Sequence, residues 1–288
     1  MFRTRALSSV VVVLVGVIPA FFGVWGATVA VAALGLIGLA ELRVMFAEID
    51  HEILLVIAAP VLLLTLVAVA AHWPAWTLSA LAAATLLAPA CLFMLRPSIE
   101  GSLRAWLATG FAALYLAIPL AHLVAVRQIA GVTTGSGAWL TRLEAHLGFP
   151  EKALGLGWFL LALVTSWLTD TFAYLSGRAF GKRLMTPVLS PKKTWEGFAG
   201  GVAGGILTAV IANWCFGVGM RGVVAVGAGI VIALAATAGD LAESLLKRQT
   251  GVKDSGTLIP GHGGVLDRID SQLFVFVVVY YFALAVGA

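Results

Sequence analysis

A polytopic all-α membrane bundle of about nine spanning helices, with a polar, cytoplasm-facing cavity in its C-terminal half, is the architecture that this chain requires. Three observations lead there. Of 288 residues, 61% are hydrophobic and 11% charged, and the mean hydropathy is +1.02. A soluble domain carries about 25% charged residues, so this little charge cannot cover a water-facing surface. Uncharged stretches long enough to cross the hydrocarbon of a bilayer recur from end to end. Lys and Arg, finally, collect in alternate connections between those stretches, as cytoplasmic loops do. The same composition excludes disorder, collagen-like repeats and a disulfide scaffold, since Cys91 and Cys215 both lie in apolar runs. A net charge of +4 and a pI of 9.3 would suit a nucleic-acid partner in a soluble protein. In a membrane protein, basic residues mark the cytoplasmic side and anionic headgroups, so the expected partner is the lipid bilayer and no nucleic acid.

Residues 6–40 carry no charge and are long enough for two short helices turning near Phe22–Trp25, with Arg3 and Arg5 before them and Glu41 and Arg43 after. A basic start before an apolar run also fits a signal peptide. The second run follows at once, however, and an uncleaved first helix is the expectation. Spans follow near 53–71, 76–95 and 104–126, separated by His72-Trp73-Pro74 and by Arg96-Pro97-Ser98. The connection 127–154 is relatively polar and has room for a short interfacial helix. Further spans are expected at 155–176, 198–216, 222–243 and 271–287. The chain thus divides into an N-terminal scaffold (1–126), an extracytoplasmic connection (127–154) and a catalytic region (155–288) with cytoplasmic loops at 177–197 and 244–270.

Fourteen of the 18 basic residues fall on one side of this arrangement: Arg3, Arg5, Arg43, Arg96, Arg104, Arg178, Lys182, Arg183, Lys192, Lys193, Lys247, Arg248, Lys253 and Arg268. Arg127, Arg142, Lys152 and Arg221 fall on the other. The positive-inside rule places the N-terminus in the cytoplasm and the C-terminus outside.

Three polar clusters stand out in the C-terminal half. Asp170 lies within the apolar span before Tyr174 and Arg178, where an ionised carboxylate either pairs with a neighbouring cation or faces a polar cavity. Ser190-Pro191-Lys192-Lys193-Thr194, at the foot of a helix beginning near Trp195, offers two ammonium groups, two hydroxyls and helical N–H groups. That set suits polyphosphate oxygens, although Lys-Lys after Pro also serves topology and lipid contact. In the third cluster Asp240, Glu243, Ser244 and Lys247 recur at i, i+3, i+4 and i+7, one polar stripe on a helix. The loop beyond it mixes cations with Pro260-Gly-His262-Gly263-Gly264, whose glycines allow backbone amides to approach a ligand. Asp240 and Asp267 are hard oxygen donors of the kind Mg²⁺ accepts beside substrate phosphates. A salt-bridge network with Lys247, Arg248 and Arg268 is the alternative use of these carboxylates.

The run Ser244-x-Leu246-Lys247-Arg248-x4-Lys253-Asp254-x-Gly256-x2-Ile259-Pro260-x-His262-Gly263-Gly264-Val265-x-Asp267-Arg268-Ile269-Asp270 resembles the signature of the phosphatidate cytidylyltransferases (CDP-diacylglycerol synthases). Asp170-Thr-Phe-Ala-Tyr174-x2-Gly177-Arg178 and Ser190-Pro191-x-Lys193-Thr194-x-Glu196-Gly197 are similar to motifs of the same family. The resemblance covers roughly 160–280; before that, the chain agrees only in being multi-span. It implies transfer of a cytidylyl group from CTP to phosphatidic acid in a bacterial inner membrane, dependent on Mg²⁺, with room for a second cation and for a homodimer. Under it, Asp240 and Asp267 hold the metal, and Lys193, Lys247, Arg248 and Lys253 neutralise substrate and pyrophosphate. Ser190, Lys192, Thr194, Ser244, Asp254, His262, Gly263, Gly264 and Arg268 complete the substrate contacts, and Asp170 completes the cation environment. Another CTP-dependent lipid enzyme, either an isoprenoid-lipid cytidylyltransferase or a polyprenol kinase, would present a similar site. A cation-coupled transporter is the reading from a different class, opposed by the lack of internal repeats.

Several motifs are set aside. Gly217-x-Gly219-x2-Gly222 joins two membrane helices without a preceding strand and is a turn. Gly177 to Arg183 is one residue short of a phosphate loop and lacks its hydroxyl. His122 is a hydrogen-bonded packing residue, and Gly197, Gly201 and Gly205 let helices approach closely.

Overall fold

The structure is a computed structural model that describes residues 14, 16–96, 98–259 and 263–288. Among these residues nine α-helices carry nearly all of the regular structure: α1 Gly23–Ala47, α2 Leu55–Ala70, α3 Ala75–Met94, α4 Ser102–Arg127, α5 Ala138–His146, α6 Ala153–Phe180, α7 Trp195–Phe216, α8 Gly222–Thr250 and α9 Leu266–Ala285. All except α2 and α5 are long and apolar enough to cross a membrane, and α2 is a shorter apolar helix of 16 residues. The fold class is therefore that of an all-α polytopic membrane protein. Its one sheet among the described residues is a hairpin of β1 Leu184–Thr186 and β2 Ser190–Thr194, antiparallel, with Leu184 opposite Thr194 and Thr186 opposite Ser190.

Hydropathy located the helices but shortened several. A 3₁₀ turn at Ile18–Phe22 and the positive φ of Gly23 break the first apolar stretch where a turn was expected. The segment upstream of it, with Arg3 and Arg5, falls mostly outside the described residues. Helix α1 runs on to Ala47 and carries Glu41 and Arg43, which the sequence placed beyond it. Likewise α6 continues to Phe180, α8 to Thr250, and α9 begins at Leu266. Polar helical turns that project beyond the hydrocarbon are invisible to hydropathy but cost nothing in hydrogen bonding. Basic Lys247 and Arg248 in the last turn of α8 and acidic Asp267 in the first turn of α9 also suit the helix dipoles.

The chain divides into two compact units. The first consists mainly of 24–124 and 246–268. Its interior is aliphatic, with Leu39, Leu42, Leu62, Leu66 and Leu116 fully buried. Thr109 on α4 accepts a hydrogen bond from the N–H of Leu54, which precedes α2 and has no intrahelical partner there (2.9 Å). Phe46, Phe111 and Tyr115 stack in sequence, with centroids 5.8 and 5.1 Å apart.

The second unit consists mainly of 125–245 and 269–288, with 20–23. Trp158 meets Phe282 edge-on and Phe159 stacks on Phe276 at 5.3 Å. The connection 127–154 does hold the expected short helix, α5, and one residue ties several of its parts together. Arg127, counted above only as a topology marker, has a side chain with 0% exposure. It donates to the carbonyls of Ala20 (2.8 Å) and Lys152 (2.9 Å) and to the Glu144 carboxylate (2.6 Å).

Candidate active site

Four helices and the hairpin of the second unit bring its polar residues together through close backbone approach. On α7, Gly197, Gly201 and Gly205 face α6. An added Cβ would meet the Ala173 carbonyl oxygen (2.8 Å), the Ala173 Cβ (2.9 Å) and the Thr169 hydroxyl (2.7 Å) respectively. The expected small-residue crossing is present. Gly229 on α8 sits equally tightly on Ile206 of α7, and Gly239 on the Asp270 carbonyl of α9 (2.5 Å). With no side chains between them, α8 and α9 carry Asp240 and Asp270 past the same point.

The hairpin delivers the lysine. Successive side chains of a strand point to opposite faces, so the Lys192-Lys193 doublet does not act as one patch. Lys192 is exposed, whereas Lys193 turns in and pairs with Asp240 at 2.7 Å. Thr194 ends the strand and caps α7, its hydroxyl accepting the Gly197 N–H (3.1 Å). Glu196, in the first turn of α7, accepts the backbone N–H groups of Lys182 (3.0 Å) and Arg183 (3.2 Å). The stretch 177–197, expected as a loop, is thus the end of a helix followed by a braced hairpin. The hairpin forms because β1 and β2 satisfy each other's backbone groups, with an irregularity in register between Leu184 and Thr186.

Asp170 on α6 is exposed and lies within electrostatic range of Asp240, Asp270 and Lys193. Ser244 donates to Asp240 at 3.4 Å, as the predicted stripe on α8 requires, and Glu243 on the same helix is buried. Below the carboxylates, buried Gln272 donates to buried Ser166 (3.1 Å), extending the polar seam into the helix interface. Asp170 thus has two aspartates and one lysine within electrostatic reach, and that lysine, from the hairpin, is paired with Asp240.

The first unit organises the remaining residues of the signature. Lys247 pairs with Asp267 Oδ1 at 2.6 Å, one bridge of the salt-bridge network weighed above. Asp267 Oδ2 accepts three further hydrogen bonds, from the Ser255 N–H (2.9 Å), the Ser255 hydroxyl (2.9 Å) and the Gly264 N–H (2.8 Å). Both oxygens of Asp267 are therefore engaged in shaping the loop, and so is the Gly264 amide. Gly263 closes an isolated bridge by accepting the Ile259 N–H (2.9 Å). Arg248 and Arg268 lie in helical end turns, and Lys253 and Asp254 are exposed in the loop. His262 lies outside the described residues.

Two residues at these clusters were not among the sequence candidates. Asp270 belongs to the signature and repeats Asp267 one helical turn on, so the i, i+3 spacing was there to be read. Glu41 had no such signal: its partners, Ser255, Val265 and Leu266, lie more than 200 positions away.

Asp267, with both oxygens hydrogen-bonded, has less to offer a cation than the aspartates of the second unit. Asp170, Asp240 and Asp270 offer hard carboxylate oxygens, and the Lys193 ammonium now offsets part of their charge. Among the described residues no three His, Cys, Asp or Glu side chains already converge as a metal cage. Mg²⁺ commonly takes only one or two carboxylates and completes its shell with water and substrate phosphates.

The chain belongs to the Cytidylyltransferase family, whose model matches residues 3–286. It is 42% identical over 127 residues to the phosphatidate cytidylyltransferase of Staphylococcus aureus (strain COL), covering 44% of this chain and 49% of that protein. It is 45% identical over 147 residues to the phosphatidate cytidylyltransferase of Haemophilus influenzae (strain ATCC 51907 / DSM 11121 / KW20 / Rd), covering 47% and 48%. The chain spans about half the length of the curated relatives it matches.

Proposed function

We propose that this protein is a magnesium-dependent phosphatidate cytidylyltransferase of the bacterial inner membrane, with its N-terminus and active site in the cytoplasm and its C-terminus outside. The observation that carries this reading is the Lys193–Asp240 pair with Asp170 and Asp270 in electrostatic reach, set on membrane-crossing helices of a Cytidylyltransferase-family chain. In the reaction, an anionic phosphate oxygen of phosphatidic acid attacks the α-phosphorus of CTP. The bond to the bridging oxygen of the β-phosphate breaks, and CDP-diacylglycerol and pyrophosphate form. The nucleophile is already ionised, so no general base is required. What the protein must supply is alignment and charge neutralisation for two polyanions.

In this reading Asp240, with Asp170 and Asp270, would hold Mg²⁺, and Asp267 keeps the loop and Lys247 in place. The metal, when bound, would offset phosphate charge and order the phosphate oxygens. Lys193, held by Asp240 in this structure, would contact phosphate oxygens when Asp240 serves the metal. Lys247, Arg248, Lys253 and Arg268 are assigned to phosphate neutralisation, and Ser190 and Ser244 to hydrogen bonding. His262 is assigned to orienting phosphate or headgroup and not to proton transfer.

The test is turnover of labelled CTP by the full chain in detergent micelles with phosphatidic acid. Label in the α-phosphate is expected in the lipid product, with pyrophosphate released and activity abolished by chelation of Mg²⁺. Asp240→Ala should reduce the rate at least about 100-fold while the protein stays folded. Transfer of γ-label to lipid would identify a kinase and sink this reading, and undiminished turnover after chelation would remove the metal from it.

A further inference from the structure

Glu41 is a carboxylate in the last two turns of α1, a helix whose one other charge is Arg43; it is 8% exposed and far in sequence from every residue discussed as chemistry. Its partners explain its presence. Oε1 accepts the Val265 N–H at 2.8 Å, and Oε2 accepts the Leu266 N–H at 2.9 Å and the Ser255 hydroxyl at 3.2 Å. The two amides stand at the start of α9, where a helix has N–H groups without intrahelical acceptors. A carboxylate from a different helix serves as the cap, and its negative charge suits the positive end of the dipole. Two glycines of the signature make room for it. A Cβ on Gly256 or Gly264 would lie 2.7 or 2.5 Å from Glu41 Oε1.

The same loop is held from its other side by Asp267, and Ser255 joins the two. Its hydroxyl lies 2.9 Å from Asp267 Oδ2 and 3.2 Å from Glu41 Oε2, so one proton serves two carboxylates. Asp267 Oδ1 in turn holds Lys247. The path Glu41–Ser255–Asp267–Lys247 is continuous, and every step is a hydrogen bond within one compact unit.

We propose that Glu41 is a positioning residue for cytidylyl transfer: from α1 it fixes Ser255 and the Val265–Leu266 start of α9, and through them the placement of Asp267 and Lys247. This rests on the reading of the protein as a CTP-dependent transferase. Small displacements of groups that align phosphates are costly, on the order of 100-fold in rate for about 1 Å, so Glu41 is expected to act on kcat without touching substrate.

Glu41→Gln keeps the size of the side chain but leaves one acceptor oxygen where two amides converge. In micelles with CTP and phosphatidic acid, its kcat should fall about 10- to 100-fold, with KM for the lipid within about twofold and recovery in part by Glu41→Asp, which restores two oxygens. Amide exchange at 254–259 and 263–266 should quicken by about tenfold or more, while helices distant from these residues keep their protection. Ser255→Ala should also lower kcat, and the double variant should lose less than the product of the two single losses, because both act through one network. A kcat for Glu41→Gln within twofold of the parent, or losses that simply multiply, would overturn the proposal. If Glu41→Gln does not accumulate as folded protein, Ser255→Ala decides: reduced kcat with unchanged melting supports it, and unchanged kcat refutes it. If the parent chain itself transfers no label, the transferase reading fails, and the exchange rates of Glu41→Gln alone then decide whether Glu41 fixes the loop.

Discussion

Lys193 and Asp240 hold each other in a setting where neither is comfortable alone. Removing Lys193 would leave Asp240 facing Asp170 and Asp270 with no opposing charge from the hairpin. Turnover by Lys193→Ala is therefore expected to fall at least about tenfold further than turnover by Lys192→Ala, measured at saturating CTP. Thr194 acts on structure: Thr194→Ala removes the α7 cap at a cost of about 1 kcal/mol, visible in thermal melting, and Thr194→Ser should retain most of it. At this scale the sequence was informative about residue type and poor about partners. Asp170, Lys193 and Asp240 were each conspicuous as charges in or beside apolar spans. That Lys192 and Lys193 part company depends on a strand that eleven polar and apolar residues do not announce. Glu41 looked like the end of a helix because charge in a hydropathy profile is read as a boundary, whereas here the charge is satisfied by amides from a distant segment.

Helices in this chain meet through absent side chains. The Gly197–Gly201–Gly205 series was legible because its four-residue spacing puts all three on one face, and the crossing with α6 uses that face. Gly201→Leu should force α6 and α7 apart, costing about 1–3 kcal/mol and lowering turnover as Asp170 moves; loss of neither melting temperature nor activity would contradict the crossing. The helix ends were less legible. Hydropathy reports where a helix leaves the hydrocarbon, and the hydrogen-bond ladder of α8 continues for two more turns. The connection 127–154 shows the opposite case, a segment whose polarity suggested looseness and whose core is a buried ion pair. Breaking it by Arg127→Ala or Glu144→Ala strands one charge, at about 3–5 kcal/mol. Detergent extracts of either variant should aggregate or melt well below the parent.

For the molecule as a whole, composition alone settled the class, since 11% charge in 288 residues leaves too little for a water-facing surface. Span number and orientation rest on finer signals. The described helices include seven long and apolar enough to span and one shorter apolar helix, and the distribution of basic residues underlies the proposed orientation. Single cysteines introduced at Val188 and at Lys253, in a background lacking Cys91 and Cys215, should react with an impermeant maleimide only from the cytoplasmic side. A cysteine at Arg142 should react only from outside. Labelling of all three from one side would reverse or break the topology. The signature could be recognised in sequence because its glycines, carboxylates and cations are mutually dependent; Gly256 and Gly264 are small on account of a residue that the signature does not contain.

The hairpin has a consequence for how insertions and deletions would be tolerated. Because Lys193, and not its neighbour Lys192, meets Asp240, the identity of the buried ammonium depends on the register that β2 keeps against β1, irregularity included. Removing one residue between Thr186 and Ser190, or adding one, would leave both lysines in the segment but is expected to move Lys193 off Asp240. Length in that three-residue turn, 187–189, is therefore under tighter constraint than any single side chain it contains.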